Sequence, residues 1–165
     1  MAKKKNRKFG GPFLAAAVFC DSFLEDTSGK ISAVGILDGC SFFISPDAPS
    51  DVPSKTHPAL INQNILLIFR SGDAPGKHKL KFVVEQPDGK RTTALERDLN
   101  LSEPPHGGVN LKTVAQFGVY TSGIYWVDVY LDGKRVTRMP LNVTFQRLSA
   151  QPVQDQEQSK ARTKG

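Results

Sequence analysis

The chain has 165 residues, 39% of them apolar, which allows one ordinary domain with its own hydrophobic core. Its formal net charge is +6, from 22 basic and 16 acidic side chains. Much of this excess lies at the two ends: residues 1–8 hold five basic residues and no acid, and residues 150–165 hold three basic and two acidic residues. The 14 basic and 14 acidic residues between these ends balance, which argues against a folded surface built for a polyanion.

The N-terminal end joins a basic segment to an apolar run, as a secretion signal does. The basic residues are Lys3, Lys4, Lys5, Arg7 and Lys8. The apolar run, Phe13 to Cys20, is short, Gly10 to Pro12 interrupts the chain before it, and small residues lie inside the run instead of after it. We therefore expect a disordered basic tail over residues 1–12, a first strand after it, and a cytoplasmic protein.

Two cysteines, Cys20 and Cys40, are too few for a disulfide framework and form no C-x-x-C pair. We interpret both as reduced, small core residues. The sequence also has no apolar run of the roughly 20 residues that a membrane helix needs, so we expect no membrane association.

From residue 13 onward, short extended segments alternate with turn signals, which predicts an all-β domain. The predicted strands cover residues 13–20, 31–37, 41–44, 60–69, 77–85, 92–101, 109–117 and 124–131, followed by a last strand around 139–145. Alternation along "KHKLKFVVEQ" places His78, Leu80, Phe82 and Val84 in the core. The sequence predicts a two-sheet Greek-key sandwich of the immunoglobulin-like class over residues 13–147, with about eight mostly antiparallel strands and a disordered polar tail at 148–165.

Two stretches carry a resemblance to a known family. They are "FCDSFLEDTSGKISAVGILDG", from Phe19 to Gly39, and the final hairpin "TSGIYWVDVYLDGKRVTRMPLNVTF", and "HGGVN" at His106 to Asn110 adds to them. The chain resembles an uncharacterised bacterial family of small immunoglobulin-like β-sandwich proteins, a domain of unknown function, over Ala15 to Thr144. This resemblance implies the sandwich fold and a bacterial cytoplasmic origin, and it implies no activity.

The candidates for chemistry are few. The histidines His57, His78 and His106 are far apart, and no pair has the spacing that supplies two metal ligands from one element. His106 is the best functional candidate, since it lies between a proline and two glycines. Ser102, Glu103 and Asp98 lie near it in sequence. Without a G-x-S-x-G elbow or a phosphate-binding loop, we predict no catalytic, metal or cofactor site, and a hydrolase using the His106 loop remains the least favoured alternative.

The strand "IYWVDVYL" is apolar on both faces. Tyr125, Val127, Val129 and Leu131 suit the core, and Ile124, Trp126 and Tyr130 lie opposite them. A strand of this kind is covered on both sides. We expect the cover to be the proline-rich loop at residues 45–58 or a partner subunit.

The sequence therefore predicts a non-enzymatic binding or assembly module that acts through protein–protein contacts, with an unknown partner or with itself. The predicted contact residues are Ile124, Trp126, Tyr130 and His106. The alternative is a nucleic-acid-associated accessory protein that uses only the basic tail, residues 3–8. The lysine row Lys77, Lys79 and Lys81 is interpreted as a solvated surface that deters edge-to-edge pairing.

Overall fold

The computed structural model describes residues 10–103 and 107–149, and all the regular elements in these ranges are β-strands. The nine strands are β1 (Phe13–Glu25), β2 (Ile31–Leu37), β3 (Gly39–Ile44), β4 (Ala59–Arg70), β5 (Gly76–Glu85), β6 (Arg91–Leu101), β7 (Gly108–Val119), β8 (Gly123–Leu131) and β9 (Lys134–Arg147). Sheet A has the order β2-β1-β4-β7, and sheet B has the order β3-β9-β8-β5-β6. The prediction of an all-β, two-sheet domain is confirmed.

Two tight turns set the register of sheet B. β5 and β6 are joined through Gly89, with φ 82°, and β8 and β9 are joined through Asp132 and Gly133, with φ 49° and 78°. Left-handed residues at these positions match the twist of the flanking strands. The hairpins place β5 between β6 and β8, and β8 between β5 and β9.

The chain changes sheets at Asp38. β2 pairs with β1 in sheet A, and β3 pairs with β9 in sheet B. The β3–β9 pair is parallel, and the Asn142 amide donates a hydrogen bond of 2.7 Å to the Asp38 carbonyl oxygen at the crossing point. This parallel edge is an exception to the predominantly antiparallel pairing.

The core lies between the inner faces of the two sheets. The period-two pattern is confirmed, because His78, Leu80, Phe82 and Val84 of β5 are all buried. The inner set of β8 is buried in the same cluster: Tyr125, Val127, Val129 and Leu131. Sheet A contributes residues such as Ile65, Leu67 and Phe69 from β4. Phe145 near the end of β9 packs against this cluster and is partly buried.

Two details differ from the sequence prediction. Each of the nine predicted segments forms a strand, one more than the overall expectation of about eight, and β1 continues to Glu25, past the expected end at Cys20. The extension exists because residues 19–25 pair with β2, whereas residues 13–20 pair with β4. Glu25 at the end of β1 forms an ion pair with Lys112 of β7. The predicted tails fall mainly on residues 1–9 and 150–165, outside the described residues.

Candidate functional site

The outer face of sheet B carries a cluster of arginines, acids and aromatic residues, called here the arginine face. It consists of Trp126, Asp128 and Tyr130 on β8, Arg135 and Arg138 on β9, Glu85 on β5 and Arg91 on β6. The register brings them together, because Glu85 lies opposite both Arg91 and Trp126, and Asp128 lies opposite Arg138.

Asp128 is at the centre of the arginine face. Its side chain is 0% exposed, although it points away from the hydrophobic core. Arg91 Nη2 donates to Asp128 Oδ2 at 2.7 Å. Arg138 Nε and Arg135 Nη1 lie 3.0 Å and 3.5 Å from Asp128 Oδ1. A buried carboxylate is stable only where opposite charge compensates its lost hydration, and here three guanidinium groups supply it.

The same arginines cover the aromatic side chains. The Arg138 guanidinium carbon lies 4.9 Å from the centre of the Trp126 ring, in cation–π contact. Arg138 Nη2 also lies 2.7 Å from Glu85 Oε2, an ion pair that, like its contact with Asp128, lacks the alignment of a hydrogen bond. Arg91 Nη2 donates a second hydrogen bond, of 2.9 Å, to the Tyr130 hydroxyl oxygen. Arg91 and Arg138 thereby each contact more than one neighbour, whereas Arg135 lies near Asp128 alone in this cluster.

Three of the four residues predicted as partner contacts lie on or beside this face. Trp126 and Tyr130 are half-buried, and Ile124 is 47% exposed. We expected the outer face of β8 to be covered by the loop at residues 45–58 or by a partner subunit. Arginines of the same sheet supply part of this cover. The loop itself is held elsewhere: Arg147 Nη1 donates to the Ala48 carbonyl oxygen at 2.7 Å, and Lys55 pairs with Asp88 at 2.7 Å.

The fourth predicted contact residue, His106, lies outside the described residues, and so does the basic segment at residues 3–8. The other residues of the imagined hydrolase arrangement, Asp98, Ser102 and Glu103, lie within the described residues, and two of them have side-chain partners. The Ser102 hydroxyl bridges the loop, donating to the Gly108 carbonyl oxygen at 2.9 Å and accepting from the Gly108 amide at 3.0 Å. Asp98 forms an ion pair of 2.6 Å with Lys79. Both groups have structural partners.

His78 is the buried histidine of β5, and both of its ring nitrogens face acceptors. Nδ1 lies 2.7 Å from Asp132 Oδ2, and Nε2 lies 3.0 Å from the Ala74 carbonyl oxygen. Only the doubly protonated ring can donate to both. The hydrogen bond to Asp132 accordingly raises the pKa of His78, and the same bond lowers the pKa of Asp132. The pair ties the β8–β9 turn to the start of β5.

Several other features bear on chemistry. Among residues 10–103 and 107–149, no three His, Cys, Asp or Glu side chains converge in a way that could hold a metal ion. Cys20 and Cys40 are free thiols, and burial raises the pKa of each, which disfavours the reactive thiolate. No helix in the described ranges is long and apolar enough to cross a membrane.

Sequence reasoning found the aromatic half of the arginine face and missed its charged half. The available signal was Asp128, a single acid in the middle of a strand that is otherwise apolar on both faces. A carboxylate there needs cations from neighbouring strands. Arg135 and Arg138 follow in the hairpin partner, but the contribution of Arg91 depends on β6 lying two strands away, which the local pattern does not show.

The sequence was compared with known proteins. A model of a family of unknown function, DUF6941, matches residues 15–144, which confirms the predicted resemblance to an uncharacterised domain. No curated protein matches. Among solved structures, the chain is similar to the Pseudomonas fluorescens alkylpurine DNA glycosylase AlkC bound to DNA containing an abasic site analog, with 15% identity and a TM-score of 0.36 over 53% of this chain. The match spans 26% of the glycosylase chain, and a likeness this weak supports no inference about function. Because the family model covers most of the sequence, the chain belongs to the DUF6941 family of unknown function.

Proposed function

We propose that the protein is a non-enzymatic binding module that recognises an acidic surface of another protein through the arginine face. The observation that carries this proposal is Asp128, a fully buried carboxylate on the solvent side of a sheet, which fixes three arginines around Trp126 and Tyr130. A sheet does not need such a cluster on its outer side in order to fold, because ordinary solvated side chains suffice there.

The composition of the arginine face is typical of protein interfaces. Tryptophan, tyrosine and arginine are the residues most enriched among those that dominate binding energy. The side chains of Arg91, Arg135 and Arg138 are 45%, 49% and 33% exposed, so each keeps surface for a partner while its guanidinium is already held in place. Ordering these side chains before binding lowers the entropy lost on association.

The charge of the face favours an acidic partner. Three arginines against the carboxylates of Asp128 and Glu85 leave an excess of one positive charge. The two lysines next to it on β5 are neutralised by acids of β6, in pairs of 2.6 Å and 3.5 Å. The excess is modest, which suits a mixed apolar and acidic protein surface better than the dense charge of a nucleic-acid backbone.

An immunoglobulin-like Greek-key fold is part of this proposal. Two observations support it. The first is the topology: the sheets are ordered β2-β1-β4-β7 and β3-β9-β8-β5-β6, and the chain crosses between them from β2 to β3, β3 to β4, β4 to β5, β6 to β7 and β7 to β8. In addition, the buried Tyr125 near the start of β8 donates to the Thr121 carbonyl oxygen at 3.1 Å, as the tyrosine corner of such sandwiches does. A bacterial cytoplasmic origin is proposed with it, and the two free cysteines are in keeping with a reducing compartment.

Photo-crosslinking tests the proposal. A photoreactive phenylalanine analogue replaces Ile124, which borders the arginine face, and in a matched control it replaces Leu60, which is 64% exposed on sheet A. Illumination in the native host followed by mass spectrometry identifies what each position touches. We expect a discrete protein adduct from position 124 that is absent from position 60, and its loss when Arg91 is replaced by glutamate.

Three outcomes would contradict the proposal. They are equal labelling from both positions, an adduct that survives Arg91→Glu unchanged, and an adduct that nuclease digestion removes. The last outcome would identify nucleic acid, not an acidic protein surface, as the ligand of the arginine face. An adduct of twice the chain mass would identify the partner as a second copy, and it would support the assembly form of the same proposal.

A further inference from the structure

A concave site, separate from the centre of the arginine face, lies at the end of the molecule where β1 begins and β8 turns into β9. Its volume is about 530 Å³. It is lined by Gly11, Pro12, Phe13, Leu14, Leu131, Asp132, Lys134, Arg135 and Val136. The volume falls within the range of small-molecule sites, and the lining combines apolar walls with a few charged groups, as such sites do.

The charged groups of this cavity leave an excess of positive charge. Lys134 has no ion pair within residues 10–103 and 107–149, and Arg135 has only the 3.5 Å contact with Asp128. The single carboxylate of the cavity, Asp132, is committed elsewhere: Oδ2 binds His78 Nδ1 at 2.7 Å, and Oδ1 accepts from the Lys79 amide at 2.8 Å. Both oxygens of Asp132 are thereby occupied, and Arg135 is already a partner of Asp128 in the arginine face, so Lys134 is the cation of this lining that remains for a ligand.

The apolar residues of the cavity indicate the chemistry of the rest of the ligand. Phe13 is 47% exposed at the rim, and Leu14 and Val136 are partly buried beside it. A large aromatic side chain on solvent gains free energy when an apolar group covers it. A bare inorganic anion would leave these walls wet, whereas an anion with an apolar body would cover them.

We infer that this cavity binds a small amphipathic anion, with its carboxylate or phosphate head group on Lys134 and its apolar body against Phe13 and Val136. The inference goes beyond the proposed function and does not depend on it, because Lys134 and Phe13 are not part of the arginine face.

The test uses the fluorescent aromatic sulfonate 8-anilinonaphthalene-1-sulfonate with the full chain. We expect saturable binding of one dye per chain, weakened about fivefold by Lys134→Gln and by Phe13→Ser. Lys90→Gln removes the same charge at the β5–β6 turn, at the opposite end of sheet B, and is expected to bind the dye as the wild type does. The uncharged analogue N-phenyl-1-naphthylamine should bind at least about fivefold more weakly. Near-ultraviolet circular dichroism checks that each variant is folded.

Competition identifies the head group. Sodium decanoate and phenyl phosphate are titrated against the bound dye, and displacement by one of them assigns the carboxylate or the phosphate source. The inference is overturned if neither displaces the dye, if the uncharged analogue binds equally well, or if Lys134→Gln and Lys90→Gln have the same effect. It is separable from the proposed function, since Arg91→Glu should abolish the protein crosslink and leave dye binding unchanged.

Discussion

Replacing Asp128 by asparagine removes the charge that organises the arginine face while keeping the volume of the side chain. In the wild type this carboxylate is fully buried and lies 2.7 Å, 3.0 Å and 3.5 Å from the guanidinium groups of Arg91, Arg138 and Arg135. In Asp128→Asn the three cations would be left with Glu85 as the one carboxylate of the arginine face, so their mutual repulsion would be less compensated and the substitution should destabilise the fold.

The magnitude follows from burial. Breaking a buried ion pair by removing one partner typically costs about 3–5 kcal/mol. Here the three arginine side chains are 45%, 33% and 49% exposed, so water can solvate them after the change. The asparagine oxygen can also still accept one hydrogen bond. We therefore expect a loss of about 2 kcal/mol in the free energy of unfolding, equivalent to a fall in Tm of about 4–8 °C for a domain of this size.

Urea unfolding followed by tryptophan fluorescence measures this directly, because the chain has one tryptophan and it lies in the arginine face. Glu96→Gln is the control: it breaks a 3.5 Å pair with Lys81 whose two side chains are 58% and 42% exposed. An exposed pair of this kind should cost less than about 0.5 kcal/mol. If Asp128→Asn costs no more than Glu96→Gln, the reasoning that Asp128 organises the face is refuted.

Three further predictions concern stability. The fold raises the pKa of His78 above its ordinary 6.5, so the stabilisation from its charged form is complete below pH 6.5 and is lost as the pH rises through the folded pKa. Urea titrations at a series of pH values should show this loss of stability in the wild type but not in His78→Gln. Equal pH profiles for the two proteins would contradict the prediction. Tyr125→Phe should cost about 0.5–1.5 kcal/mol in urea unfolding, since the hydroxyl's hydrogen bonds to the part-buried Tyr120 amide and Thr121 carbonyl oxygen are lost, and no measurable cost would argue against a tyrosine corner. Gly35→Ala should lower Tm more than Gly29→Ala. Both glycines have positive φ, but an added Cβ at Gly35 would meet the Asp21 carboxylate, whereas one at Gly29 would meet nothing within 4 Å. An equal fall in Tm would show that φ alone matters.

Local pattern was sufficient to predict most of the fold. Alternation along β5 placed His78, Leu80, Phe82 and Val84 inward, and the Asp-Gly turn at 132–133 predicted the last hairpin. Both signals arise within a few residues of one another. The parallel pairing of β3 with β9 depends on residues about a hundred positions apart, and nothing in either strand alone specifies it.

The candidate site was predicted only in part, for the same reason. Trp126 and Tyr130 lie on one strand and stand out by type, so the outer face of β8 could be identified. Their contacts come from Arg91 and Arg138, which cross-strand register brings into place. The role of Asp128 follows only when its neighbours on β5 and β9 are known.

The affinity of the crosslinked partner for two surface variants tests the central claim, that the arginine face binds a protein. Ile124→Asp places a negative charge beside the face without touching the ion-pair cluster, and Leu60→Asp makes the same kind of change on the exposed side of sheet A. Isothermal titration calorimetry should give a Kd at least about tenfold weaker for Ile124→Asp and unchanged for Leu60→Asp. Equal affinity for the wild type and Ile124→Asp, or equal weakening by both substitutions, would contradict the account.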